Sequence, residues 1–339
     1  MAIPINMIKA IALLSGGLDS TLAIKLMQEQ GIEVIALHFT TPFCQCGGSK
    51  NGCKSTAHTV ADNFKIPIKT INNTDEFFKI VRQPKHGYGS HMNPCIDCRI
   101  LMLQTTRKYM AECGASFVVT GEVLGQRPMS QHRQSLDLIE RESGLAGLIL
   151  RPLSAQWLAV TIPEKEGWVD RSKLLNIKGR SRKPQMSLAK SFEINDYPCP
   201  AGGCLLTDPS FSLRVKDLLQ YSDLILNDVL LLKAGRHFRL DNRTKLIVGR
   251  NEQENNIILS LAKDSDAIID MRTCPGPAGL LRGDCKQTNL DLACRITARY
   301  ADHNLSDEEV TAEIRIKELQ PKKIQVTFLS DKEVRMYMI

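Results

Sequence analysis

The first part of the chain carries short apolar runs, each followed by a stretch in which apolar residues recur at helical spacing. Strands are predicted at 8–14, 33–39 and 66–71, and helices at 21–30 and 54–64. Strands that are joined by helices lie parallel in one sheet. The pattern therefore predicts an α/β fold with a parallel sheet and helices on both of its faces.

The same alternation continues to about residue 150 and then stops. It predicts helices at 75–82 and 96–112 and strands at 116–120 and 148–150. Beyond Asp208 a helix at 213–220 and strands at 237–240, 245–248, 311–319 and 323–329 indicate a smaller α+β domain. We predict an α/β domain at 1–152, a basic, cysteine-bearing connector at 153–210 and the α+β domain at 211–339.

Composition describes an ordinary globular protein, with 43% hydrophobic and 24% charged residues. No apolar run is long enough to cross a bilayer, and the first residues do not resemble a signal peptide, so we expect a cytoplasmic protein without membrane contact. The net charge of +7 favours a polyanionic partner. Eleven cysteines in a reducing compartment favour thiol, metal or cluster chemistry over structural disulfides.

A Ser-Gly-Gly-Leu-Asp-Ser motif stands where the first strand gives way to the first helix. Glycine N–H groups and the positive end of a helix favour phosphate there. The motif resembles the pyrophosphate loop of the adenine nucleotide alpha hydrolases (PP-loop, Rossmann-like), which convert ATP to AMP and pyrophosphate; the alternative is an ordinary turn with Asp19 as a helix cap. The candidate ATP-binding residues lie at the ends of three strands: Ser15, Gly16, Gly17, Asp19, Ser20, His38, Phe39, Thr120 and Gly121.

Two cysteine signatures are the candidate sulfur or metal sites. Asn93-Pro94-Cys95-Ile96-Asp97-Cys98 opens the long helix, whose dipole favours thiolates, and Cys199 and Cys204 flank a Pro-Ala-Gly-Gly turn. A CxxC pair is compatible with zinc, with a redox pair or with an iron–sulfur cluster. Cys44, Cys46 and Cys53 lie in a glycine-rich loop, as incidental thiols or as a zinc site.

Together these motifs resemble the tRNA thiouridine synthases. A motif of the 4-thiouridine synthases is similar to the segment Thr120-Gly121-Glu122-Val123-Leu124-Gly125-Gln126. A motif of the 2-thiouridylases is similar to Asn93-Pro94-Cys95, at the start of the long helix. The paired cysteines resemble thiolases that hold a [4Fe–4S] cluster by three cysteines, which implies Cys95, Cys98 and either Cys199 or Cys204 as ligands. Residues 246–256 weakly resemble the RNA-binding domain of ribosome quality-control factors.

This resemblance implies an ATP-dependent tRNA sulfurtransferase that adenylates a uridine carbonyl and replaces its oxygen with sulfur, with 4-thiouridine favoured over 2-thiouridine. Cys95, Cys204 and Asp19 would be the catalytic residues, with Asp19 holding or positioning Mg²⁺. Sulfur would come from a cysteine desulfurase or free sulfide, through the cluster or through a cysteine persulfide. Two alternatives stay open: a nitrogen-transferring ligase, and an RNA-binding quality-control protein with a regulatory nucleotide site.

A basic run and two arginines beside the Gln126 motif are the candidate tRNA contacts. 4-Thiouridine synthases carry an amino-terminal RNA-binding domain that is not seen before the first strand, so we expect the connector and the last domain to bind RNA. A charge run is also compatible with a merely solvated face. The candidate residues are Arg127, Arg133, Lys178, Arg180, Arg182 and Lys183.

Overall fold

The computed structural model describes residues 8–44, 53–195, 197, 203–302 and 309–339, with the side chains of 53–55 left aside. The chain forms two compact units, Met1–Thr207 and Asp208–Ile339. Within the described ranges, no helix is both long enough and apolar enough to cross a membrane.

The first unit is built on a five-stranded parallel sheet in the order β3-β2-β1-β4-β5. Its elements are β1 (Lys9–Leu13), α1 (Leu18–Gln28), β2 (Glu33–Thr40), α2 (Cys53–Asn63), β3 (Ile68–Asn72), α3 (Thr74–Arg82), α4 (Cys95–Cys113), β4 (Phe117–Thr120), α5 (Arg133–Ser143), β5 (Ile149–Leu150), α6 (Ile162–Lys165) and α7 (Lys183–Ser191).

Strand β1 lies at the centre of this sheet and is covered on both faces. Ala10 and Ala12 belong to one buried cluster, whereas Ile11 and Leu13 belong to the cluster on the opposite face. Successive side chains of a strand point to opposite faces, so an apolar residue at every position of β1 requires helices on both sides. The predicted α/β fold with helices on both faces is confirmed.

The strand order places a crevice beside β1. Leu13, the last residue of β1, pairs with Leu37 of β2 on one side and with Thr120 of β4 on the other. The chain leaves β1 toward one flank of the sheet and later returns to β4 on the other flank. Ligands of open parallel sheets bind at such a switch point, at the carboxyl ends of the strands.

Part of the predicted connector folds with the first unit. Helix α7 packs against α1, and Ala189 is buried in the same cluster as Leu22, Val169 and Leu174. The structure thus groups the described residues of 153–207 with the sheet that precedes them. The division of the chain into three functional parts stays a prediction.

The second unit contains a six-stranded antiparallel sheet in the order β11-β10-β8-β9-β7-β6, and it confirms the predicted smaller α+β domain. Its elements are α8 (Pro209–Tyr221), α9 (Leu226–Leu231), β6 (Arg236–Asp241), β7 (Thr244–Val248), α10 (Glu252–Ser260), β8 (Ala267–Met271), β9 (Gly279–Arg282), α11 (Gln287–Ala298), β10 (Glu309–Arg315), β11 (Lys322–Thr327) and α12 (Asp331–Arg335). Leu246 and Val248 pack with residues of α11, while Ile247 belongs to a cluster that includes Leu231 and Ile258.

Candidate active site

The loop between β1 and α1 brings two hydroxyl groups together at the end of the central strand. Ser15 Oγ and Ser20 Oγ lie 3.2 Å apart, and Ser20 Oγ donates a hydrogen bond to the carbonyl of Gly17 (2.9 Å). Gly16 has a φ of +77°, and a Cβ there would lie 3.0 Å from both Ala57 N and Thr56 Cβ of α2. Glycine is therefore required at position 16 both by its backbone conformation and by the close approach of α2.

Helix α1 begins at this loop without a capping side chain. Its N-cap residue is Gly17, in an extended conformation, so Asp19 does not cap the helix as the alternative interpretation supposed. The N–H groups of the first turn lack intrahelical partners, and they add to the positive end of the helix dipole. This arrangement suits a phosphate group.

Asp19 has one carboxylate oxygen that is held and one that is not. Gln126 Nε2 donates a hydrogen bond to Asp19 Oδ2 at 2.9 Å. Asp19 Oδ1 is buried and has no hydrogen-bond partner among the described residues. A buried carboxylate oxygen is costly unless it is paired, and magnesium prefers oxygen ligands, so Asp19 fits a magnesium ion that accompanies the phosphates.

The residues that follow β4 press against the same loop. A Cβ on Gly121 would lie 2.5 Å from Asp19 C and Ser20 N, so only glycine permits this approach. Thr120 is buried, and its hydroxyl donates to Glu122 Oε2 at 3.2 Å. The end of β4 and the start of α1 therefore form one wall.

The two candidate nucleotide contacts on β2 are placed differently. His38 is buried, and its Nδ1 donates to the carbonyl of Leu14 at 2.8 Å, which joins the ends of β1 and β2. Phe39 is half-buried and packs against the cluster that contains Ile11 and Leu37. Their contact with a nucleotide stays a prediction.

The thiol groups of Cys95 and Cys98 stand at the start of α4. Cys95 is its first residue, and the Cys98 N–H donates to the carbonyl of Pro94 at 2.9 Å. Cys204 is brought in from far along the chain because its backbone forms a β-bridge with Cys44, just after β2.

Two backbone hydrogen bonds fix the segment that carries Cys204. The Leu205 N–H donates to Phe43 O at 2.8 Å, and the Met92 N–H donates to Leu206 O at 3.1 Å. Residues 204–206 thus lie between the end of β2 and the loop that leads into α4. Cysteines from three distant stretches therefore share one region.

Electrostatics shows that these thiols are neighbours. Burial raises the pKa of Cys98 to about 12, and burial together with the charges of Cys98, Cys95 and Cys44 raises the pKa of Cys204 to about 12. Burial also raises the pKa of Cys95, although Arg127 and Arg99 oppose it. The expectation that the helix dipole would favour thiolates at Cys95 and Cys98 is wrong, because burial outweighs it.

By their chemical type, the thiols of Cys95, Cys98 and Cys204 are a donor set that fits either a zinc ion or an iron–sulfur cluster. Among the described residues, no group of three or more His, Cys, Asp or Glu side chains is placed to hold one metal ion. In a cluster each thiolate binds a different iron, so the thiolates need not converge on one point. Cys95, Cys98 and Cys204 fit that role, with Cys44 beside them.

The structure does not describe the side chains of three candidate cysteines. Cys46 and Cys199 lie outside the described residues, and of Cys53 only the backbone is described. The possible zinc site at Cys44, Cys46 and Cys53 therefore stays a prediction. Sequence reasoning missed that Cys44 joins Cys95, Cys98 and Cys204 instead of acting only with its sequence neighbours.

A buried ion-pair network connects the cysteine helix to the wall beside the loop. Glu122 is 2% exposed, and its carboxylate lies 3.1 Å from Arg99 Nε and 2.9 Å from Arg151 Nε, while Arg151 also pairs with Glu140. Burial raises the pKa of Glu122, but Arg99 and Arg151 outweigh it, so the pKa is lowered overall.

The sequence analysis gave no role to Gln126, Arg99, Glu122 or Arg151. Gln126 and Glu122 lie within the motif shared with 4-thiouridine synthases, and Arg99 directly follows Cys98. Their positions in or beside these motifs could have indicated a role in the site. Nothing in the sequence indicates a role for Arg151, because its ion pairs with Glu122 and Glu140 follow only from the fold.

Several candidate RNA contacts lie around the same rim. Arg127 is exposed, and its charge acts on Cys95. The basic segment, residues 178–183, begins beside the Gln126 loop, since the Gly179 N–H donates to Leu124 O at 2.7 Å. Lys178 Nζ lies 3.5 Å from the centre of the Trp157 ring.

The remaining basic candidates extend this surface. Arg133 donates to the Trp157 carbonyl. Arg180 and Lys183 are exposed and Arg182 is half-buried. Their role in RNA binding stays a prediction.

Comparison with known proteins gives two family matches, one in each of the two units of the structure. Residues 7–156 match the family model described as thiamine biosynthesis protein (ThiI), and residues 235–338 match that of the NFACT protein RNA binding domain. A probable tRNA sulfurtransferase of Thermococcus kodakarensis is 29% identical over 154 residues, which cover 43% of this chain and 36% of that protein. The tRNA-specific 2-thiouridylase MnmA of Clostridium botulinum (strain Eklund 17B) is 31% identical over 124 residues, covering 33% and 34%.

Solved structures give more distant similarities. A 4-thiouridine synthetase in complex with RNA and ATP has a TM-score of 0.36 at 20% identity, over 66% of this chain and 52% of that one. The U34-tRNA thiolase NcsA of Methanococcus maripaludis, with its [4Fe–4S] cluster, has a TM-score of 0.34 at 17% identity, over 62% and 68%.

The chain spans about a third of the length of the curated relatives that it matches. The first family match covers the loop motif, the Asn93-Pro94-Cys95 segment and the segment from Gly121 to Gln126, and the second family match lies within the second unit. The resemblance inferred from the motifs is thus confirmed: this chain carries a segment that is similar to the ThiI family model and a segment that is similar to the NFACT RNA-binding domain, and it is similar to tRNA sulfurtransferases.

Proposed function

We propose that this chain is an ATP-dependent tRNA sulfurtransferase, which adenylates a uridine carbonyl oxygen, releases pyrophosphate and replaces that oxygen with sulfur, preferably at the 4-position. The observation that carries the proposal is that the segment from Gly121 to Arg127 joins the nucleotide loop to the cysteine helix. At one end Gly121 packs on the Asp19 backbone and Gln126 bonds to the Asp19 carboxylate. At the other end Arg127 acts on the Cys95 thiol.

The loop supplies the groups that the adenylation step needs. In that step the uridine oxygen attacks the α-phosphorus of ATP, and pyrophosphate leaves with the electron pair of the broken P–O bond. The N–H groups of α1 and the hydroxyls of Ser15 and Ser20 would bind the pyrophosphate. The open Oδ1 of Asp19 would hold Mg²⁺, which neutralises phosphate charge.

The thiols supply the second step. A hydrosulfide, or the terminal sulfur of a persulfide on Cys95, forms a bond to the activated carbon, and AMP leaves with the electrons of the C–O bond. In the persulfide route, Cys204 then attacks the Cys95 sulfur of the resulting Cys95–S–S–carbon link, the thiolated base leaves with the electrons of the broken S–S bond, and a Cys95–Cys204 disulfide remains that a thiol reductant must reduce before the next turnover. A [4Fe–4S] cluster held by Cys95, Cys98 and Cys204 would supply one iron position without a protein ligand.

RNA would reach the site over the basic rim. The exposed cations of the basic segment and Arg127 suit phosphate contacts along tRNA. The second unit, similar to an RNA-binding domain, would provide a further contact. Several phosphate contacts together would bind tRNA with a marked dependence on salt.

The direct test uses the full chain, purified without oxygen, with Mg-ATP, a thiol reductant and unmodified tRNA, run once with sulfide and once with a cysteine desulfurase and cysteine, which supplies persulfide sulfur. We expect thiouridine in the digested tRNA by mass spectrometry and pyrophosphate release that requires tRNA. Asp19→Asn should abolish both products, whereas Cys95→Ser should abolish thiouridine and retain tRNA-dependent pyrophosphate release. Cys113→Ser, at the opposite end of α4, is the matched control and should behave like the unsubstituted protein.

Two outcomes would contradict the proposal. Incorporation of nitrogen instead of sulfur would indicate the amidating ligase. Binding of tRNA without any tRNA-dependent pyrophosphate release would indicate an RNA-binding protein with a regulatory nucleotide site.

A further inference from the structure

The second unit contains a cavity of about 350 Å³ that the proposed thiolation chemistry does not use. Its floor is formed by β6 and β7, where His237 pairs with Ile247 and Arg239 pairs with Lys245. Leu218 and Tyr221 of α8, together with residues of α9, form apolar walls. A volume near 350 Å³ is at the lower end of small-molecule pockets, so it suits one nucleotide-sized ligand.

Cations outnumber carboxylates around this cavity. On one side Arg239 and Lys245 share a single carboxylate, Asp217, with contacts of 2.6 and 3.0 Å. Burial lowers the pKa of Lys245 to about 8, and Asp217 only partly opposes this. One carboxylate between two cations leaves that side positively charged.

A second group of lining residues has two cations with two carboxylates, and the turn between β6 and β7 adds another cation. Arg282 pairs with Asp228 and with Asp266, and Lys263 lies 3.0 Å from Asp228. Arg243, at the turn between β6 and β7, lines the cavity and is exposed. The lining as a whole thus favours an anionic ligand.

His237 adds a specific requirement for a hydrogen-bond donor. It is 1% exposed, and its Nε2 donates to the Ala234 carbonyl at 2.9 Å. Burial, with Lys245 and Arg214 nearby, lowers its pKa well below the usual value, so the ring is neutral and Nδ1 carries no hydrogen. Nδ1 has no partner among the residues that the structure describes. A buried acceptor of this kind is costly until a ligand donates to it.

We propose that this cavity binds one ribonucleotide unit, with its phosphate beside Arg243 and Lys263 and with a hydroxyl or amino hydrogen donated to His237 Nδ1. A nucleoside phosphate combines an anionic group, a base that can pack on apolar side chains and hydrogen-bond donors, whereas inorganic phosphate would satisfy only the cations. The unit is supplied either as a free nucleotide or as an unstacked residue of an RNA chain. The inference rests on the proposed RNA role of the second unit and assigns it a site.

The experiment titrates the full chain with cytidine monophosphate, inorganic phosphate and a short single-stranded oligocytidylate, by calorimetry. Cytidine avoids both the adenine and the uridine that the first unit is proposed to bind, and substitutions in the second unit leave any phosphate bound at the loop of the first unit unchanged. Arg243→Ala and Lys263→Ala should weaken all three ligands by about tenfold, since each removes a charged hydrogen bond. His237→Leu should weaken the two nucleotide ligands by about tenfold and leave inorganic phosphate unchanged.

Lys322→Ala, on the distant edge strand β11, is the matched control and should bind like the unsubstituted protein. Binding of the monophosphate and the oligonucleotide together supports a free-nucleotide source; binding of the oligonucleotide alone supports an RNA residue. Unchanged oligonucleotide affinity in both Arg243→Ala and His237→Leu would overturn the site and leave the RNA role of the unit intact. Arg243 is exposed, so its variant tests the site even where His237→Leu does not fold.

Discussion

Glu122→Gln tests whether the buried ion-pair network holds the cysteine helix to the wall of the nucleotide loop. The substitution keeps the size of the side chain and removes its charge. Arg151, 3% exposed, then retains Glu140 as its acidic partner, and Arg99 loses Glu122. Removing one member of a buried ion pair costs about 3–5 kcal/mol. Because the amide oxygen still accepts one hydrogen bond, we expect the free energy of unfolding of the first unit to fall by about 2–3 kcal/mol.

The matched comparison is Arg99→Gln. The Arg99 side chain is 27% exposed, and its removal leaves Glu122 with Arg151. We expect a cost of only about 1 kcal/mol, since water replaces part of what Arg99 provided. Both variants should slow thiolation, because both loosen α4 relative to the Gly121 wall.

The assay is urea unfolding followed by tryptophan fluorescence. The chain has two tryptophans, Trp157 and Trp168, and both lie in the first unit, so this signal reports that unit. A Glu122→Gln protein within about 0.5 kcal/mol of the unsubstituted protein would refute the reasoning, because that is the range of neutral surface substitutions.

The pH dependence of the free energy of unfolding gives an independent check that the charged carboxylate of Glu122 stabilises the first unit. The folded pKa of Glu122 is lowered from the ordinary 4.5, so the unfolded state binds the proton more readily. The stabilisation by the charged carboxylate is therefore complete above that ordinary pKa and is lost as the pH falls through the folded value. The stability difference between the two proteins should be largest at neutral pH and should shrink in acid.

Three further predictions concern the groups around the site. Gln126→Leu removes the hydrogen bond that orients Asp19, so it should raise the KM for Mg-ATP in pyrophosphate release by about tenfold while tRNA affinity stays unchanged. Neutralising the cations of the basic segment should weaken tRNA binding and flatten its dependence on salt, with unchanged ATP affinity; an unchanged salt slope would place the RNA elsewhere. Cys44→Ser should lower the iron bound after anaerobic reconstitution if Cys44 is a ligand, whereas Cys113→Ser should leave it unchanged, as metal analysis would show.

The nucleotide half of the site could be predicted from the sequence because it follows from local pattern. The apolar run that becomes β1 ends directly at Ser15, and the helical spacing begins after Gly17. Parallel sheets place the ends of such strands at one edge, so Thr120 could be assigned to the same place as Ser15.

The rest depends on contacts that no periodicity records. The bridge between Cys44 and Cys204 joins residues far apart in the chain through the backbone, so neither side chain signals it. Strand β9 follows a Pro- and Gly-rich stretch that is typical of a loop, and it is four residues long. Helix α7 lies beside the basic segment, which indicated an exposed connector, yet Ala189 is fully buried.

The geometry also limits where the reacting base can lie. Adenylation needs the carbonyl oxygen beside the phosphates, and sulfur transfer needs the same carbon within reach of a thiol, so one base must contact both halves of the site. The segment from Gly121 to Arg127 contacts Asp19 through Gly121 and Gln126, and the charge of Arg127 lowers the pKa of Cys95 at its other end. Because Arg127 is exposed and already acts on Cys95, a tRNA phosphate bound to it would carry the adjoining base to this segment. Burial raises the pKa of the thiols there, and a bound metal would favour their thiolate forms, since cysteine binds metals as the thiolate.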